Sequence, residues 1–223
     1  VPYMWGLLGV IYNKTMVDEA DLGSWDLMWN EKYADDILMF DNSRDAIGIG
    51  LKMLGYSYNT TDEAQIKEAV DLLIEQKPLV QAYVMDEVFG KMEGGNAAVG
   101  TYYYGDYLTM VENNPDLGFY IPEEGTNVYV DAMCILKGAK NKENAEAFIN
   151  YMCSTEAGLK NCEEIWYSTP LMSVREELDP EVSGDVYAYP DETVMAKCES
   201  YAGLPQNILD LYDSEWTRLK SAT

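Results

Sequence analysis

The order of predicted strands and helices indicates an α/β fold, built on a mostly parallel sheet with helices on its faces. Short apolar runs predict strands, and they alternate with segments that have helical spacing or helix-ending residues. Because the connections are short, the alternation is typical of successive β-α-β units. Strands are predicted at 6–13, 37–40, 79–84, 97–106 and 117–121, followed by a two-faced strand within 127–138.

The predicted helices are bounded by capping and stop residues. Ser24 is a good N-cap for a short helix that reaches Trp29, and Gly55 ends the helix that follows the second strand. Further helices are predicted at 60–77, 86–92, 106–113, 140–152, 155–164 and 204–219. In the 140–152 helix, apolar residues at helical spacing predict a buried stripe of Ala145, Phe148, Ile149 and Met152.

The charge balance of the chain limits its partners. The 223 residues have a formal net charge of −24, from 39 acidic and 15 basic residues. This balance argues against nucleic acid as a partner, because phosphate binding requires a basic surface. No run approaches the roughly 18 apolar residues that span a bilayer. The first six residues lack the basic start and apolar body of a signal peptide, so we expect no targeting segment in the chain.

The residue types that are rare or absent narrow the chemistry. The sequence has no histidine, which excludes Ser-His-Asp and Cys-His mechanisms and removes the commonest zinc ligand. Its four cysteines form no C-x-x-C motif, so neither a metal nor a redox cofactor is predicted. Cys134 and Cys153 stand among apolar residues and are interpreted as buried small hydrophobes. The sequence neither predicts nor excludes one disulfide among these four cysteines.

Asp131 is the unusual residue of the two-faced strand. Val128, Val130 and Ala132 alternate with Tyr129 and Asp131, so the tyrosine and the carboxylate share a face. An aromatic ring beside a carboxylate can form a cation site, because the ring face and the charge both attract cations. The alternative is a solvated edge-strand aspartate beside a packed tyrosine.

A second group of polar residues follows the strand at 37–40. Asn42 and Asp45 lie at its predicted carboxyl end, before a helix that ends near 54. Ligands of open α/β sheets bind at this edge. Alternatively, Asn42 or Ser43 caps the helix and Asp45 interacts with its N-terminal dipole. Both interpretations can hold together.

Motifs along the whole chain resemble one family, the spermidine/putrescine-binding proteins of bacterial polyamine ABC transporters. They occur in the family's order and at matching spacing. The motifs are Pro2-Tyr-x-Trp-Gly, Ser24-Trp25, Leu27-x-Trp29, Leu54-Gly-Tyr-Ser-x-Asn-Thr-Thr-Asp62, Ala139-Lys-Asn-Lys-Glu143, Ala147-Phe-Ile-Asn150 and Tyr167-x-Thr-Pro170.

The resemblance implies a fold like the type II periplasmic-binding proteins, with one complete α/β lobe plus part of the second lobe. Residues 10–127 and 179–223 would form the complete lobe, and residues 1–9 and 128–178 the hinge and partial first lobe. Roughly the first hundred residues of the family's mature proteins would have no counterpart here, so we expect weak affinity or none from this chain alone. A partial lobe would expose apolar surface, which favours dimerisation or exchange of elements between chains.

The resemblance also implies a set of ligand residues. Tyr129 and Tyr103 replace the two tryptophans that wall the family's ligand slot, and Asn42 replaces one of two paired acids. A tyrosine face is a weaker cation partner than tryptophan, so the resemblance predicts a polyamine without choosing among putrescine, spermidine and other amines. The implied ligand-binding residues are Asn42, Asp45, Tyr103, Asp106, Tyr129, Asp131 and Tyr167.

The function that follows is binding of a polyamine between two lobes, for delivery to the membrane permease of an ABC importer, without catalysis. We expect an extracytoplasmic protein, either periplasmic or a lipoprotein on the outer face of the cytoplasmic membrane. One alternative is a solute-binding protein for another amine or a sugar, although a neutral sugar would leave Asp131 without a countercharge. Another is a glycosidase or lyase in which Asp131 works with Asp45 or Asp106 as acid and base.

Overall fold

The computed structural model describes residues 1–222 and confirms the α/β fold class. Every predicted strand is present, with bounds within a few residues of those expected. The strands are β1 Pro2–Asn13, β2 Ile37–Phe40, β3 Val80–Val84, β4 Val99–Tyr103, β5 Leu117–Tyr120 and β6 Val128–Ala132.

The predicted helices are also present, with one change of type. Ser24 caps the segment Trp25–Trp29 through its side chain, but this segment is a 3₁₀-helix. Gly55 has a φ of +76°, the left-handed conformation that ends a helix and favours glycine. The helices are α1 Ser43–Met53, α2 Glu63–Gln76, α3 Glu87–Glu93, α4 Tyr104–Asn113, α5 Lys142–Met152, α6 Thr155–Ile165, α7 Met172–Arg175, α8 Pro180–Ser183, α9 Glu192–Met195 and α10 Gln206–Ser221.

The sheet is mixed, so the prediction of a mostly parallel sheet is wrong at β1. The strand order is β3-β2-β4-β1-β5, and β6 also pairs with β1. β2 is parallel to β3 and β4, whereas β1 is antiparallel to β4, β5 and β6. The alternation of strands and helices begins only after β1. The helices between β2, β3 and β4 form the crossovers that parallel strands require, whereas only 3₁₀-helices separate β1 from β2.

β1 belongs to two regions of the molecule. Its second half, from Leu8 to Asn13, pairs with β4 and β5. Its first half, from Pro2 to Leu7, pairs with β6. The same continuous strand therefore connects the main sheet to the region that contains β6, α5 and α6.

The buried apolar residues form two clusters of very different size. The main cluster surrounds the five-stranded sheet and includes Trp25, Phe40 and Leu73, with Ile208 and Leu219 from α10. The second cluster is small. It consists of Met4, Cys162 and Val174, with partly buried neighbours that include Leu159 and Ile165 of α6.

α5 buries its predicted apolar stripe only in part, because Ala145, Ile149 and Met152 are half-buried and Phe148 is exposed. None of its residues is buried, and Phe148 is 59% exposed. Tyr151 and the nearby Leu136 and Val130 are also exposed. The reason is that no element within residues 1–222 covers this side of β6 and α5. We use the name apolar face for these four exposed side chains of β6, the loop after it and α5: Val130, Leu136, Phe148 and Tyr151.

The cysteines differ from the prediction in one case. Cys134 is exposed because it lies after β6 beside the same uncovered side, whereas Cys153 is half-buried. All four cysteines are free, so the disulfide that the spacing left open is not formed. Within residues 1–222, none of the helices combines the length and the apolar character that a bilayer crossing needs.

Candidate ligand-binding cleft

Three tyrosine rings from distant parts of the chain form a continuous line. Tyr103 ends β4, Tyr129 lies in β6, and Tyr167 follows α6. The ring centroids of Tyr103 and Tyr129 are 4.8 Å apart, and those of Tyr129 and Tyr167 are 5.6 Å apart, both in edge-to-face geometry. We call this row the tyrosine line. Such edge-to-face contacts stabilise aromatic pairs by about 0.5–1.5 kcal/mol each.

Two glycines provide the space for this row. A Cβ atom at Gly6 would lie 2.4 Å from the Tyr129 hydroxyl, and one at Gly105 would lie 2.1 Å from Cδ1 of Tyr167. Either contact is too short for carbon, so a larger residue would displace the ring. The sequence therefore places glycine where β1 and the start of α4 face these tyrosines.

Asp106 lies at the Tyr167 end of the tyrosine line. The Tyr167 hydroxyl donates a hydrogen bond of 2.7 Å to Oδ2 of Asp106. Burial raises the pKa of Asp106 to about 6, the hydrogen bond from Tyr167 opposes this shift, and the nearby charges of Asp86 and Asp131 add to it. A cation that enters here would relieve the repulsion among these acids.

Asp131 lies in β6, two residues beyond Tyr129. Its carboxylate is exposed, although partial desolvation raises its pKa. Its charge also raises the pKa values of Tyr129 and Tyr167, so it lies close to both rings. The predicted pairing of an aromatic ring with a carboxylate on one face of this strand is therefore present. A cation site and a solvated edge-strand aspartate, the two interpretations of Asp131, both agree with its exposure.

Asn42 and Asp45 lie at the Tyr103 end. The Oδ1 atom of Asn42 accepts hydrogen bonds from the backbone N–H of Arg44 at 2.9 Å and of Asp45 at 3.4 Å, so Asn42 caps α1 as the alternative interpretation predicted. Asp45 is only 4% exposed. Burial raises its pKa, and hydrogen bonds from Tyr201 and Tyr103 oppose this shift. The Tyr103 hydroxyl lies 3.4 Å from Oδ2 of Asp45, which links this acid to the tyrosine line.

Tyr201 and Asp86 belong to this site, although the sequence analysis did not identify them. Tyr201 donates a hydrogen bond of 2.8 Å to Oδ1 of Asp45. Asp86 accepts a bond of 3.1 Å from the hydroxyl of Tyr102, the neighbour of Tyr103. Asp86 follows the carboxyl end of β3, where ligand-binding residues of α/β sheets lie, so its position could have indicated it. Tyr201 lies in an irregular segment without periodicity, so no local pattern indicated it.

The site is negative and contains few cations. In the part of the chain that the structure describes, no salt bridge involves Asp45, Asp106 or Asp131. The charge of Arg44 lowers the pKa of Asp45, but the Arg44 guanidinium stacks over the ring of Tyr201, 4.7 Å from the centroid. Carboxylates without protein countercharges, beside aromatic walls, suit a flexible organic cation.

The residues do not suggest a metal centre. Within residues 1–222, no group of three or more histidine, cysteine, aspartate or glutamate side chains has the geometry to hold a metal ion. The acids instead alternate with phenol rings, which are poor ligands for hard cations.

A sheet in which one strand is shared between two regions, with the tyrosine line and its acids where those regions meet, is typical of an α/β protein of the periplasmic-binding type. The chain belongs to the bacterial extracellular solute-binding protein family, whose sequence profile matches residues 1–197. The match extends over most of the chain, from the first half of β1 through α9.

Named relatives and solved structures agree with this family. The spermidine/putrescine-binding periplasmic protein of Salmonella typhimurium is 32% identical over 199 residues, which are 89% of this chain and 57% of that protein. A putative spermidine/putrescine ABC transporter protein from Listeria monocytogenes has a TM-score of 0.92 and 36% identity, covering 100% of this chain and 69% of the other.

A third similar protein was solved with small molecules bound. It is the spermidine/putrescine ABC transporter substrate-binding protein of Streptococcus pneumoniae, crystallised with calcium and HEPES. Its TM-score is 0.87 at 39% identity, covering 99% of this chain and 68% of that one. The chain thus spans just over half of the S. typhimurium relative's length and about two thirds of the two solved chains.

Proposed function

We propose that this protein is the extracytoplasmic solute-binding component of an ABC importer, and that it binds a polyamine of the putrescine/spermidine class. The observation that carries the proposal is the tyrosine line with Asp106 and Asp131 at one end. Among residues 1–222, no basic side chain pairs with either acid. The names of the relatives support the same class of ligand. The function is binding, and no step requires catalysis.

Each part of the cleft has a role that follows from polyamine chemistry. A polyamine is a methylene chain with ammonium groups a few carbons apart. Tyr103, Tyr129 and Tyr167 would contact the methylenes, and Asp106 and Asp131 would pair with ammonium groups. Asn42 and Asp45 would form the other end of the cleft. A buried charge pair is stronger than an exposed one, so exclusion of water would increase the affinity.

The proposed domain organisation has two lobes that close over this ligand. Residues 10–127 and 179–223 would be one lobe, and residues 1–9 and 128–178 the hinge and part of the other; of these, only Thr223 lies outside the described residues. The two buried clusters are consistent with this division, because the small cluster lies entirely within 1–9 and 128–178. Closure of two lobes is a known way to enclose a ligand.

The proposal includes two protein partners. One is the membrane permease, which would receive the ligand from the closed protein. The other is a second copy of the chain, held through the apolar face of Val130, Leu136, Phe148 and Tyr151. Sedimentation at rising concentration tests the dimer: we expect Phe148→Ser together with Leu136→Ser to shift the protein to the monomer. A chain that sediments as a monomer before substitution would contradict the dimer.

Calorimetric titration of the protein at its natural length, with putrescine, spermidine and a neutral sugar, tests the ligand class. We expect saturable heat with an amine and none with the sugar. Asp131→Asn should weaken amine binding by about 2 kcal/mol or more, because an ammonium would lose a partly desolvated partner. Asp116→Asn is the matched control, since Asp116 is exposed and its carboxylate has no partner in the described residues.

Two results would contradict the proposal. Heat with the sugar alone would favour a carbohydrate-binding protein. Release of a cleaved product from a glycoside would favour the alternative in which two carboxylates act as acid and base. Unchanged amine affinity in Asp131→Asn would remove Asp131 from the site while leaving the ligand class intact.

A further inference from the structure

A cavity of about 130 Å³ lies between the two regions of the molecule, beside the Tyr167 end of the tyrosine line. Leu108 of α4 forms one wall, and Cys162, Trp166 and Tyr167 form a second wall at the end of α6. α8 and the segment after it, as far as Tyr189, form the third. Among the lining residues, only Tyr167 also belongs to the tyrosine line. The cavity is therefore separate from the ligand cleft and shares one side chain with it.

The walls of this cavity are mainly apolar. Leu178, Val182 and Ala188 contribute aliphatic side chains. Cys162 is 5% exposed, and burial raises the pKa of its thiol to about 11, so the thiol is neutral at physiological pH. Apolar cavities of similar size exclude water and bind small apolar molecules; an engineered cavity of about 150 Å³ in another protein binds benzene. The volume therefore suits an occupant with a single ring.

Three aromatic rings in the walls favour an aromatic occupant. They belong to Trp166, Tyr167 and Tyr189, and aromatic rings prefer edge-to-face or offset contacts with one another. The Arg175 guanidinium stacks over the Tyr189 ring at 4.1 Å from the centroid, and the Tyr189 hydroxyl accepts a hydrogen bond of 3.2 Å from the backbone N–H of Thr169. This wall is therefore preformed, so a ligand does not have to order it on binding.

The backbone at Trp166 is strained. Its φ of +63° is in the left-handed region, which bulky side chains rarely adopt. This conformation ends α6, and the consecutive residues Trp166 and Tyr167 both line the cavity. Strain of about 1–3 kcal/mol per residue persists only where the surrounding contacts impose it, and it is concentrated at functional sites. The strain at Trp166 therefore supports a binding role for the cavity independently of its size.

The two acids in the walls differ in their hydrogen bonds. Asp185 is already bonded: its Oδ2 atom accepts from the Tyr104 hydroxyl at 2.6 Å, and Oδ1 accepts from the backbone N–H groups of Tyr187 and Ala188 at 2.8 and 2.9 Å. Glu181 is exposed, and within residues 1–222 its carboxylate accepts no hydrogen bond. Glu181 therefore offers an acceptor where the cavity reaches solvent, and its charge disfavours an anionic ligand.

We infer that this cavity is a second binding site, which takes a small phenol whose ring lies among the aromatic walls and whose hydroxyl donates to Glu181. The Tyr167 hydroxyl donates its hydrogen bond to Asp106 in the cleft. A bound phenol would restrain the Tyr167 ring, so phenol and amine should each tighten the binding of the other. The phenol site does not depend on the proposed function, whereas its coupling to amine binding rests on it.

Calorimetric titration of the protein at its natural length with phenol, toluene and cyclohexanol tests the site. Toluene keeps the ring without the donor, and cyclohexanol keeps the donor without the aromatic ring. We expect saturable binding of one phenol per chain, about fivefold tighter than either of the others. Toluene is more apolar than phenol, so the hydrophobic effect alone predicts the opposite order of these two. Glu181→Met keeps the side-chain length but removes the acceptor, and it should make toluene the tighter ligand.

Two variants fill the cavity from different walls. Val182→Phe and Leu108→Phe each add a ring to the cavity, so each should abolish phenol binding. Leu209→Phe is the matched control, because Leu209 is 41% exposed on α10 and does not line the cavity. It should bind phenol as the unchanged protein does. Thermal unfolding establishes which variants fold, and the comparison of the three ligands decides the inference even if neither filling variant folds.

The coupling is measured by titrating putrescine into the protein saturated with phenol, where the amine should bind about threefold more tightly. If phenol shows no saturable binding, or if toluene or cyclohexanol binds as tightly, the inference is wrong while the polyamine function stands. Phenol binding that survives in a folded filling variant would also overturn it. Unchanged putrescine affinity would refute the coupling through Tyr167. If phenol binds as expected but neither putrescine nor spermidine binds, the proposed function is wrong and the phenol site stands.

Discussion

The region around the five-stranded sheet and the region from 128 to 178 are built from similar residue types but packed very differently. Around the sheet, Leu38, Phe40 and Ile47 are completely buried. In the second region, α5 has an equally regular apolar stripe, and Phe148 is 59% exposed. Amphipathic spacing thus identifies the face that a helix can bury, whereas burial itself depends on a second element that covers this face.

The largest expected effect contrasts these two regions directly. Leu38→Ala should lower the free energy of unfolding by about 3 kcal/mol, because Leu38 is 0% exposed and its removal leaves a cavity. Phe148→Ala should cost less than about 1 kcal/mol, since this side chain loses little buried area. Urea denaturation measures both. A large loss for Phe148→Ala would show that the apolar face is covered in solution.

The second effect concerns the place where the two regions meet. Gly105→Ala should cost about 2 kcal/mol, because the added carbon would lie 2.1 Å from Tyr167 and 3.1 Å from the backbone oxygen of Trp166. Gly90→Ala in α3 is the control. Among residues 1–222, no atom outside the neighbouring backbone of α3 lies within 4 Å of the added carbon, and alanine favours a helix by up to about 1 kcal/mol over glycine. In thermal unfolding, Gly105→Ala should therefore lower the melting temperature and Gly90→Ala should raise it. Equal melting temperatures would contradict the close packing of Gly105 against Tyr167.

The third effect is a gain in stability from loss of a cleft acid. The folded-state pKa of Asp106, about 6, lies above its ordinary value of 3.8, so the ionised form opposes folding above pH 6. This cost falls as the pH drops below 6 and disappears well below the ordinary pKa of 3.8, where the acid is protonated in both states. Asp106→Asn should therefore stabilise the protein by about 1–2 kcal/mol at pH 7 and by almost nothing at about pH 3.

The same substitution should weaken polyamine binding. Chemical denaturation at the two pH values, together with titration of putrescine, measures both effects in one variant. A stabilised protein that binds less amine would mark Asp106 as a residue kept for function. Loss of stability at pH 7 would instead make Asp106 a structural acid.

The smallest effect concerns the segment around Glu199, which is bonded to α1 and to the turn that follows it. Glu199 accepts hydrogen bonds from Lys52 and Ser57. Burial alone would raise the pKa of Glu199, but these two bonds lower it. A lowered pKa gives stability above the ordinary pKa, and that stability is lost as the pH falls through the folded-state value. Glu199→Gln should cost about 1 kcal/mol at pH 7 and less at pH 3.

Glu63→Gln is a suitable control for Glu199→Gln. Glu63 pairs with Lys67 on the exposed side of α2, with side chains that are 59% and 48% exposed. Exposed pairs of this kind contribute at most about 0.5 kcal/mol. If both variants lost the same free energy of unfolding, the Glu199 contacts would contribute no more than a surface ion pair does.

The sequence predicted most elements of the fold because their signals are local. The run at 37–40 and the glycine at 55 indicate a strand and a helix end without reference to the rest of the molecule. The direction of β1 and the exposure of Phe148 could not be predicted in this way. Both depend on which elements lie beside them in space.

The candidate site shows the same limit. Tyr129 and Asp131 were predicted to share a face because they are two residues apart in one strand. Tyr103 and Tyr167 were proposed only through resemblance to a family, and the structure places their rings on either side of Tyr129. Tyr201 lacked both kinds of signal, since it lies in an irregular segment and its contact with Asp45 spans 156 positions.

The pKa of Asp106, about 6, has a consequence for heat measurements on the cleft. Around pH 6 about half of the molecules hold a proton on this carboxyl, and an arriving ammonium group displaces it into the buffer. The heat measured on mixing then includes ionisation of the buffer. Titrations at pH 6 in two buffers with different heats of ionisation should differ in heat in proportion to the number of protons released, and at pH 8 this difference should vanish.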